Sequence, residues 1–479
     1  MTETTVEIGN EHDVVAFVER GHTTSTRLRW IWLLALGGVF FEAYTSAALG
    51  TGLGPLTDQL HLSAGEVSLL AGSSMLVSIA FGPVAGILAD RFGRVPMLVT
   101  AKGVALVSAV LTAFAPDYAV LLSGRALAGV AWGLDFATVM AYLAEFLPTR
   151  HRGRLNRWQG IWYVATTANL LITLAIYEAG AGQGIWRWSL GSAGVLAIVL
   201  GVAQTLVLSE SPQWLAGRGR LSDAARALRV IYGVAARATR PDTTPEAPAE
   251  APAEGAPSGK PGLSALFRAP YRPRTLLSVI TFYAQGLEYF AIGWYLPVIS
   301  LQLFGDRFAA ATLGSALFNV FGIVGGFSSG ALAQRFRIRR AMTAGFALVA
   351  VVLLALGVLF AHLPLWLAFT LPALFLLLHS SGPAPGGMSI AAAAYPSTLR
   401  ALGSGVTNMA GSAGGVTGLF VFPLIMAVLG PGTTIMLMAL VPLAGFLASA
   451  LIRWDPENPS GGPVAVVAGA QAVTRLEGS

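Results

Sequence analysis

Long apolar stretches separated by short polar segments run through most of the chain. A helix needs roughly 20 mainly apolar residues to cross a bilayer, and the runs 67–89, 158–177, 188–209 and 308–334 meet this requirement. The stretch 401–452 is too long for one helix, and the Gly-Pro-Gly sequence at 430–432 divides it into two. The pattern predicts twelve transmembrane helices, at 28–51, 66–89, 95–115, 118–145, 157–178, 186–208, 274–300, 310–334, 341–361, 364–393, 402–428 and 432–452.

Ionisable residues inside the spans follow a second pattern, because nearly all of them fall on the first, fourth, seventh and tenth helices. They are Glu42, then Arg125 and Asp135, then Glu288, then His379. A charge at mid-bilayer costs about 2.5 kcal/mol or more, so such residues persist where they face a polar cavity. Recurrence at every third helix predicts four three-helix units whose first helices line one shared polar path, which is typical of a transporter. Lys102 is expected to extend its amine from the third helix to the inner surface.

Composition and charge agree with this class. The chain is 54% hydrophobic and 11% charged, whereas soluble domains carry roughly 25% charged residues. The net charge of +6 arises in loops on one side. The positive-inside rule therefore places both termini in the cytoplasm of a multi-pass cell-membrane protein. Because the inner-face loops account for the positive charge, we expect no nucleic-acid partner.

Signatures of other chemistry are missing from the sequence. It has no cysteine, hence no disulfide and no thiolate metal site. A P-loop, a His-Glu-x-x-His motif and a Gly-x-Ser-x-Gly motif are also absent. These observations predict a protein that is not an enzyme, is not driven by ATP, and has no metal or cofactor.

Five segments are predicted along the chain. Residues 1–27 are expected to be a disordered cytoplasmic N-terminus and 28–210 a six-helix bundle. A cytoplasmic linker, 211–273, combines a short amphipathic helix at 222–231 with a disordered Pro/Ala/Glu-rich stretch. A second six-helix bundle, 274–453, precedes a disordered cytoplasmic tail, 454–479.

The two bundles share an internal repeat. The sequence Gly-Ile-Leu-Ala-Asp-Arg-Phe-Gly-Arg at 86–94 recurs as Gly-Ala-Leu-Ala-Gln-Arg-Phe-Arg-Ile at 330–338, an offset of 244 residues. Pro148 recurs as Pro396 at an offset of 248. Two markers at nearly one offset indicate a duplication, a common architecture among transporters.

The first copy of this repeat closely resembles the loop motif of the major facilitator superfamily. Its glycines permit a tight turn, and Asp90 is suited to cap a nearby helix and to pair with arginines. Residues 145–154 and 209–215 resemble signatures of sugar-porter-like members. The segment 40–45 and Asp135 resemble positions in aromatic-acid and other metabolite:proton symporters.

The resemblance implies an all-α fold of two pseudo-symmetric six-helix bundles. It also implies a cytoplasmic latch that holds the halves together, built from Gly86, Asp90, Arg91, Gly93, Arg94, Glu145, Arg152, Gly153, Arg154, Glu210, Arg335 and Arg400. The second copy departs from the motif, with Gln334 and Arg337 in place of the acid and the glycine and alanine at 393 and 394. Its part in the latch is therefore in doubt.

The buried ionisable groups indicate proton coupling. Low-dielectric surroundings favour the protonated form of a carboxyl group, so such a group can load a proton outside and release it inside. Glu42 and Asp135 are the first candidates, while Glu288 and Arg125 suit substrate binding and His379 suits either role. Each of these residues has the alternative of a purely structural role. Candidate cavity residues are Tyr44, Gln159, Trp162, Tyr163, Gln285, Tyr289, Trp294 and Asn319.

We therefore expect a monomeric secondary transporter that works by alternating access in the lipid bilayer. Its substrate is a small polar metabolite, an organic acid or a sugar, moved together with a proton. Proton-antiport efflux is an alternative; the fifth helix has no proline and no internal glycine beyond Gly160, which speaks mildly against it. A non-transporting nutrient sensor is a third possibility, but it usually needs a larger cytoplasmic extension than this chain has.

Overall fold

The computed structural model describes residues 5–21, 25–146, 158–242, 263–304, 307–395, 397–452 and 454. Two short strands and seventeen α-helices occupy most of them. The elements of the N-terminal segment and the linker are β1 (Val6–Ile8), α1 (Glu11–Glu19), α8 (Pro212–Gly217), α9 (Leu221–Tyr232) and β2 (Ala236–Ala238). The first bundle contains α2 (Thr26–Leu60), α3 (Ala64–Phe92), α4 (Arg94–Ala113), α5 (Tyr118–Glu145), α6 (Trp158–Ile176) and α7 (Ile185–Val207). The second contains α10 (Arg272–Glu288), α11 (Leu296–Leu303), α12 (Phe308–Phe336), α13 (Ile338–Leu359), α14 (Leu365–Ser381), α15 (Pro383–Ala394), α16 (Ser397–Met438) and α17 (Leu440–Leu451).

Ten stretches of the described chain are long and apolar enough to span a membrane, and two of them, Trp158–Val207 and Leu402–Leu451, are 50 residues long. The first of these folds back through a turn of π-helix with Gly180 at φ 103°. The second bends at Gly430, where φ is 73°. Each long stretch therefore supplies two spans. The fold is all-α, with twelve transmembrane helices in two six-helix bundles, as the sequence predicted.

The two bundles meet along three helix pairs, α2 with α11, α3 with α16, and α6 with α12. At α6 and α12 the backbones touch, because a Cβ at Gly326 would lie 2.6 Å from the Gly160 nitrogen. Across α3 and α16 the Ser68 hydroxyl donates to the Phe420 carbonyl at 2.8 Å. Large side chains that point away from both bundles, such as Val195 and Leu206, are exposed, as expected for a surface covered by lipid.

The expected disorder of residues 1–27 is wrong for the part that the structure describes. β1 pairs in parallel with β2 of the linker, and Asn10 caps α1. Val14, Phe17 and Val18 are buried on one face of α1, and the Phe17 ring packs edge-on against Tyr232 of α9 with centroids 5.2 Å apart. The acidic composition of this segment drew attention away from its apolar face, which has i, i+3, i+4 spacing. Glu11 and Asp13 lie in the first turn of α1, where negative charges interact favourably with the helix dipole.

The linker contains the expected amphipathic helix, α9, with Leu221, Ala224, Leu228 and Ile231 buried on one face. These side chains pack against α1 and the inner end of the first bundle. The Pro/Ala/Glu-rich stretch 243–262 and the tail 455–479, both expected to be disordered, lie outside the described residues.

Candidate functional site

The first candidate site is a buried charge cluster in the N-terminal bundle. The Lys102 amine on α4 lies 2.6 Å from Asp135 Oδ1 on α5, and both side chains are at most 2% exposed. Glu42 on α2 lies close enough to Asp135 and Lys102 to interact electrostatically with both, and the amine lies 5.1 Å from the centroid of the Phe41 ring. The expectation that Lys102 extends to the surface is wrong, because a buried carboxylate on the neighbouring helix pairs with its amine.

A glycine allows this cluster to form. A Cβ at Gly38, one turn before Glu42, would lie 3.0 Å from Asp135 Oδ2 and 2.5 Å from Val139. Any side chain there would push α2 away from α5. Gly38 therefore sets the close approach that brings the two carboxyl groups together.

Arg125 lies nearer the start of α5 than Asp135 does, outside the charge cluster. Its Nη2 donates to the Ser74 hydroxyl at 2.7 Å, and its Nε has no hydrogen-bond partner among the described residues. Arg125 and Glu42 line one polar cavity of about 20 Å³, which is large enough for a water molecule. Arg125 and Asp135 are ten residues apart on α5 and have different partners.

The second charge pair lies in the C-terminal bundle. His379 Nδ1 on α14 is 2.6 Å from Glu288 Oε1 at the end of α10, and both side chains are buried. The imidazole stacks on the Tyr289 ring at 5.4 Å and lies 5.8 Å from the Phe375 ring. In this structure the buried ionisable groups do not meet at one place: Glu42, Lys102 and Asp135 lie together in the first bundle, whereas Glu288 and His379 pair in the second. That they line one shared path remains a prediction.

A further cavity, also about 20 Å³, lies between the bundles. Four of the predicted cavity residues line it, namely Trp162, Tyr289, Trp294 and Asn319. The Trp162 indole donates to the Tyr289 hydroxyl at 2.6 Å, and the Trp294 indole donates to the Ser46 carbonyl and hydroxyl at 3.1 Å. Both hydrogen bonds connect the halves, so opening the cavity to admit a substrate requires breaking them.

The other four predicted cavity residues do not line this cavity. Tyr44 hydrogen-bonds Ser192 at 2.8 Å within the first bundle, and Tyr163 packs edge-on against Tyr289 with centroids 6.0 Å apart. Gln159 and Gln285 are buried. Sequence reasoning missed three polar lining residues, Ser46, Thr51 and Thr166. Small hydroxyl groups are frequent in transmembrane helices, and nothing in their spacing marks the face that they occupy.

A third charged cluster, around the loop motif, lies between α3, α4, α5 and the linker. Arg94 Nη1 is 2.6 Å from Asp90 Oδ1, and Arg94 Nη2 is 3.1 Å from Glu145 Oε1. The Asp90 carbonyl accepts hydrogen bonds from the Trp214 indole at 2.9 Å and from the Arg218 guanidinium. These contacts join residues of the first half and the linker, so the role of the cluster as a latch between the halves remains a prediction.

Glu210 caps α4, a role that the sequence had suggested for Asp90. Its carboxylate accepts from the backbone N–H groups of Arg94 at 3.0 Å and Val95 at 3.2 Å, the geometry in which an anion is stabilised at a helix N-terminus. Gly93 makes this possible, because its φ is 108° and a side chain there would overlap the Glu210 carboxylate. Burial raises the pKa of Glu210 above its ordinary value, while the N–H groups of Ser211, Arg94 and Val95 oppose that shift.

Other predicted members of the latch contribute less. Gly86 lies inside α3 with no atom near its missing Cβ, so the expectation that it serves a tight turn is wrong. Arg91 and Arg335 each lie over the ring of the next residue, Phe92 and Phe336. Arg152, Gly153, Arg154 and the side chain of Arg400 lie outside the described residues. Within the described chain, no group of three metal-ligating side chains comes together.

Comparison with known proteins places this geometry in context. The profile of the sugar (and other) transporter family matches residues 34–451. A putative metabolite transport protein of Escherichia coli, YaaU, is 26% identical over 437 residues, which cover 90% of this chain and 92% of YaaU. The arabinose-proton symporter of Bacillus subtilis is 26% identical over 352 residues, covering 72% and 73%.

A solved structure shows the same fold. The xylose transporter XylE of E. coli, in a partially occluded inward-open conformation, superimposes with a TM-score of 0.72 at 16% identity. The match covers 92% of this chain and 100% of XylE. At that identity the likeness concerns the fold, and the assignment of individual residues depends on the contacts described above.

Proposed function

The chain belongs to the sugar (and other) transporter family, and from this premise we propose that it carries a small polar metabolite across the membrane together with a proton, by alternating access. The observation that carries the proposal is the cavity between the bundles, where two indoles, a phenol, an amide and several hydroxyl groups meet. Aromatic faces with a few convergent hydrogen-bonding groups suit a small polyhydroxylated ligand. Among organic acids and sugars, this lining favours a sugar or a sugar acid.

The names of two relatives support a sugar-like substrate and a proton as the coupling ion. One is called an arabinose-proton symporter, and a solved neighbour is described as a proton:xylose symporter. Asn319 supplies amide groups, and Ser46, Thr51 and Thr166 supply hydroxyl groups for sugar recognition. His379, which is paired with Glu288, stacks on the Tyr289 ring and holds its orientation.

Glu42 is the proposed proton carrier. It lines the polar cavity of the first bundle, and Ser46, one helical turn later, lines both that cavity and the one between the halves. Ser46 also accepts the hydrogen bond from Trp294 of the second bundle. A change in the charge of Glu42 is therefore transmitted over one turn of α2 to a contact that must break when the halves separate.

Alternating access follows from the size of the central cavity. About 20 Å³ holds a water molecule, whereas a ligand pocket for a small organic molecule is typically 300–1,000 Å³. Substrate therefore enters only when one end of the interface between the halves opens. We further propose a monomer in the bacterial inner membrane with both termini in the cytoplasm, an orientation supported by the arginine-rich loops on one side.

The decisive experiment is uptake of labelled pentoses, hexoses and sugar acids into proteoliposomes with an imposed pH gradient, after a thermal-shift screen of the same compounds. We expect an inward proton gradient to drive accumulation of one sugar-like compound. Glu42→Gln should abolish accumulation but retain exchange of labelled for unlabelled substrate, because only the proton step is lost.

Asp58→Asn is the matched control, since Asp58 is an exposed acid on the same helix. It should leave accumulation unchanged. Uptake that ignores the gradient, or full proton-driven accumulation by Glu42→Gln, would refute the proposed coupling. Proton-driven expulsion of the compound would show antiport instead.

A further inference from the structure

Lys102 is a buried charge to which neither the sequence pattern nor the proposed transport cycle gives a role. Its amine lies 2.6 Å from Asp135 Oδ1, and Asp135 packs against α2 at Gly38, one turn before Glu42, where a Cβ would lie 3.0 Å from Asp135 Oδ2. Both partners of the ion pair are almost completely buried. An ammonium group in such surroundings is retained only with a close counter-charge.

The three groups contain two acids and one base. When Lys102 is protonated and Asp135 ionised, their charges cancel, and the cluster is neutral only while Glu42 holds a proton. Without the lysine, two adjacent carboxyl groups would have to share or bind protons, because like charges at this separation oppose joint ionisation. One cation therefore sets how many protons the cluster binds.

We propose that Lys102 is a positioning residue for proton coupling: by neutralising Asp135, it leaves Glu42 as the single carboxyl group that gains and loses a proton in each cycle. The assignment rests on the proposed function, because it specifies the proton site of that function. It also gives Asp135 a fixed, ionised role in place of the proton-carrying role that its sequence position suggests.

The charged groups around Glu42 support the binding and release of a single proton by this cluster. Helix α2 supplies Glu42 itself, and α4 supplies Lys102. Helix α5 supplies Asp135 and, across the polar cavity, Arg125. The charged side chains of α3 lie near its two ends, Glu66 at one and Asp90 and Arg91 at the other. α7 contributes Arg187 at its outer end, where the guanidinium donates to the carbonyls of Ala113 and Ala115. Near Lys102, α7 contributes Gly201, which packs against the aliphatic part of the lysine side chain and carries no charge.

The test is an infrared titration of the purified full-length protein, which follows the carbonyl band of protonated carboxyl groups and needs no substrate. The band that disappears in Glu42→Gln reports Glu42. Lys102→Met should move its midpoint to higher pH by about 1–3 units, because a neighbouring cation is lost. Asp135→Asn should move it to lower pH, because Lys102 is then left to stabilise ionised Glu42.

The double variant Lys102→Met/Asp135→Asn restores neutrality and should return the midpoint to within about one unit of the original. It also keeps the test valid if a single variant, with its unpaired buried charge, fails to fold. A lysine with only a structural role would leave the Glu42 midpoint unmoved in Lys102→Met. That result, or a double variant whose midpoint stays displaced, overturns the inference.

Proton-driven uptake by the same variants separates this inference from the proposed function. We expect Lys102→Met to lose accumulation and the double variant to regain it. If uptake ignores the gradient while the infrared midpoints shift as described, the coupling proposal fails and the role of Lys102 in the cluster stands. If uptake is coupled through Glu42 but the midpoints do not respond to Lys102, the inference about Lys102 alone fails.

Discussion

The N-terminal and C-terminal halves share a six-helix architecture and a repeated loop sequence, but they neutralise their buried charges differently. In the first half a lysine and an aspartate form the pair, and a second acid, Glu42, lies beside it. In the second half a histidine and a single acid, Glu288, form the pair and pack behind a tyrosine of the central cavity. An extra acid beside a balanced pair can exchange a proton, whereas a balanced pair alone orients its neighbours. Under the proposed function, this difference places proton coupling in the first half and substrate positioning in the second.

The repeated loops of the two halves, 86–94 and 330–338, also differ in their charged groups. Gly93 and Arg337 occupy equivalent positions, and both have a positive φ, 108° and 66° respectively. The first loop retains Asp90 and a cap from Glu210, while the second has Gln334 in place of the acid. The two loops therefore share the backbone turn but differ in the acidic residue beside it. The turn is common to both because it connects adjacent helices in either half.

The largest effect is expected from breaking the charge pair of the second half. His379→Leu leaves Glu288 buried without its partner and should lower the free energy of unfolding by about 3–5 kcal/mol. Thermal unfolding in detergent micelles measures this loss. The double variant His379→Leu/Glu288→Leu should regain most of the stability and yet bind substrate more weakly, because Tyr289 loses the group on which it stacks. A double variant with unchanged affinity would contradict the positioning role.

A smaller but still large effect is expected at the first loop. Gly93→Ala places a side chain in a backbone region that favours glycine and displaces Glu210, so we expect a loss of about 2–4 kcal/mol in the same unfolding measurement. Gly86→Ala is the matched control, since no atom lies near its Cβ position, and it should be neutral or slightly stabilising. Equal losses for the two variants would mean that the positive φ and the cap do not distinguish Gly93.

The contact between the halves is expected to respond more weakly. Trp162→Phe removes the hydrogen bond to Tyr289 and should favour separation of the halves by about 0.5–1.5 kcal/mol. Because the chain has no cysteine, a single cysteine introduced at Thr166 can report cavity access through its rate of maleimide labelling, which we expect to rise. Trp188→Phe, at an exposed tryptophan, should leave that rate unchanged. Faster labelling in both variants would argue against a specific role for Trp162.

The smallest effect is expected at the second loop. Arg337→Gly should raise the free energy of unfolding by about 1 kcal/mol, because glycine adopts the positive φ at this position with less strain. The unfolding measurement used for Gly93→Ala supplies a direct comparison of the two loops. A destabilised Arg337→Gly variant would show that the arginine side chain contributes more than its backbone strain costs.

The membrane-spanning pattern could be predicted from the sequence because hydrophobic length is a property of consecutive residues. The span at 118–145 was predicted to the residue, and the division at Gly430 appears as a bend. The ordered N-terminal segment was missed, because its strand pairs with residues more than 200 positions away. Composition alone does not show such a partner.

The sequence by itself predicted that the protein crosses the membrane twelve times, that a loop sequence repeats in its two halves, and that Glu42, Arg125, Asp135, Glu288 and His379 are buried, but it wrongly directed Lys102 to the surface. It did not determine which of them meet. Tertiary structure paired Lys102 with Asp135 and Glu288 with His379, and it separated the two pairs into different bundles. The physical reason is that partners across helices depend on each helix's rotation and depth, and these are set by close contacts such as that of Gly38 with α5.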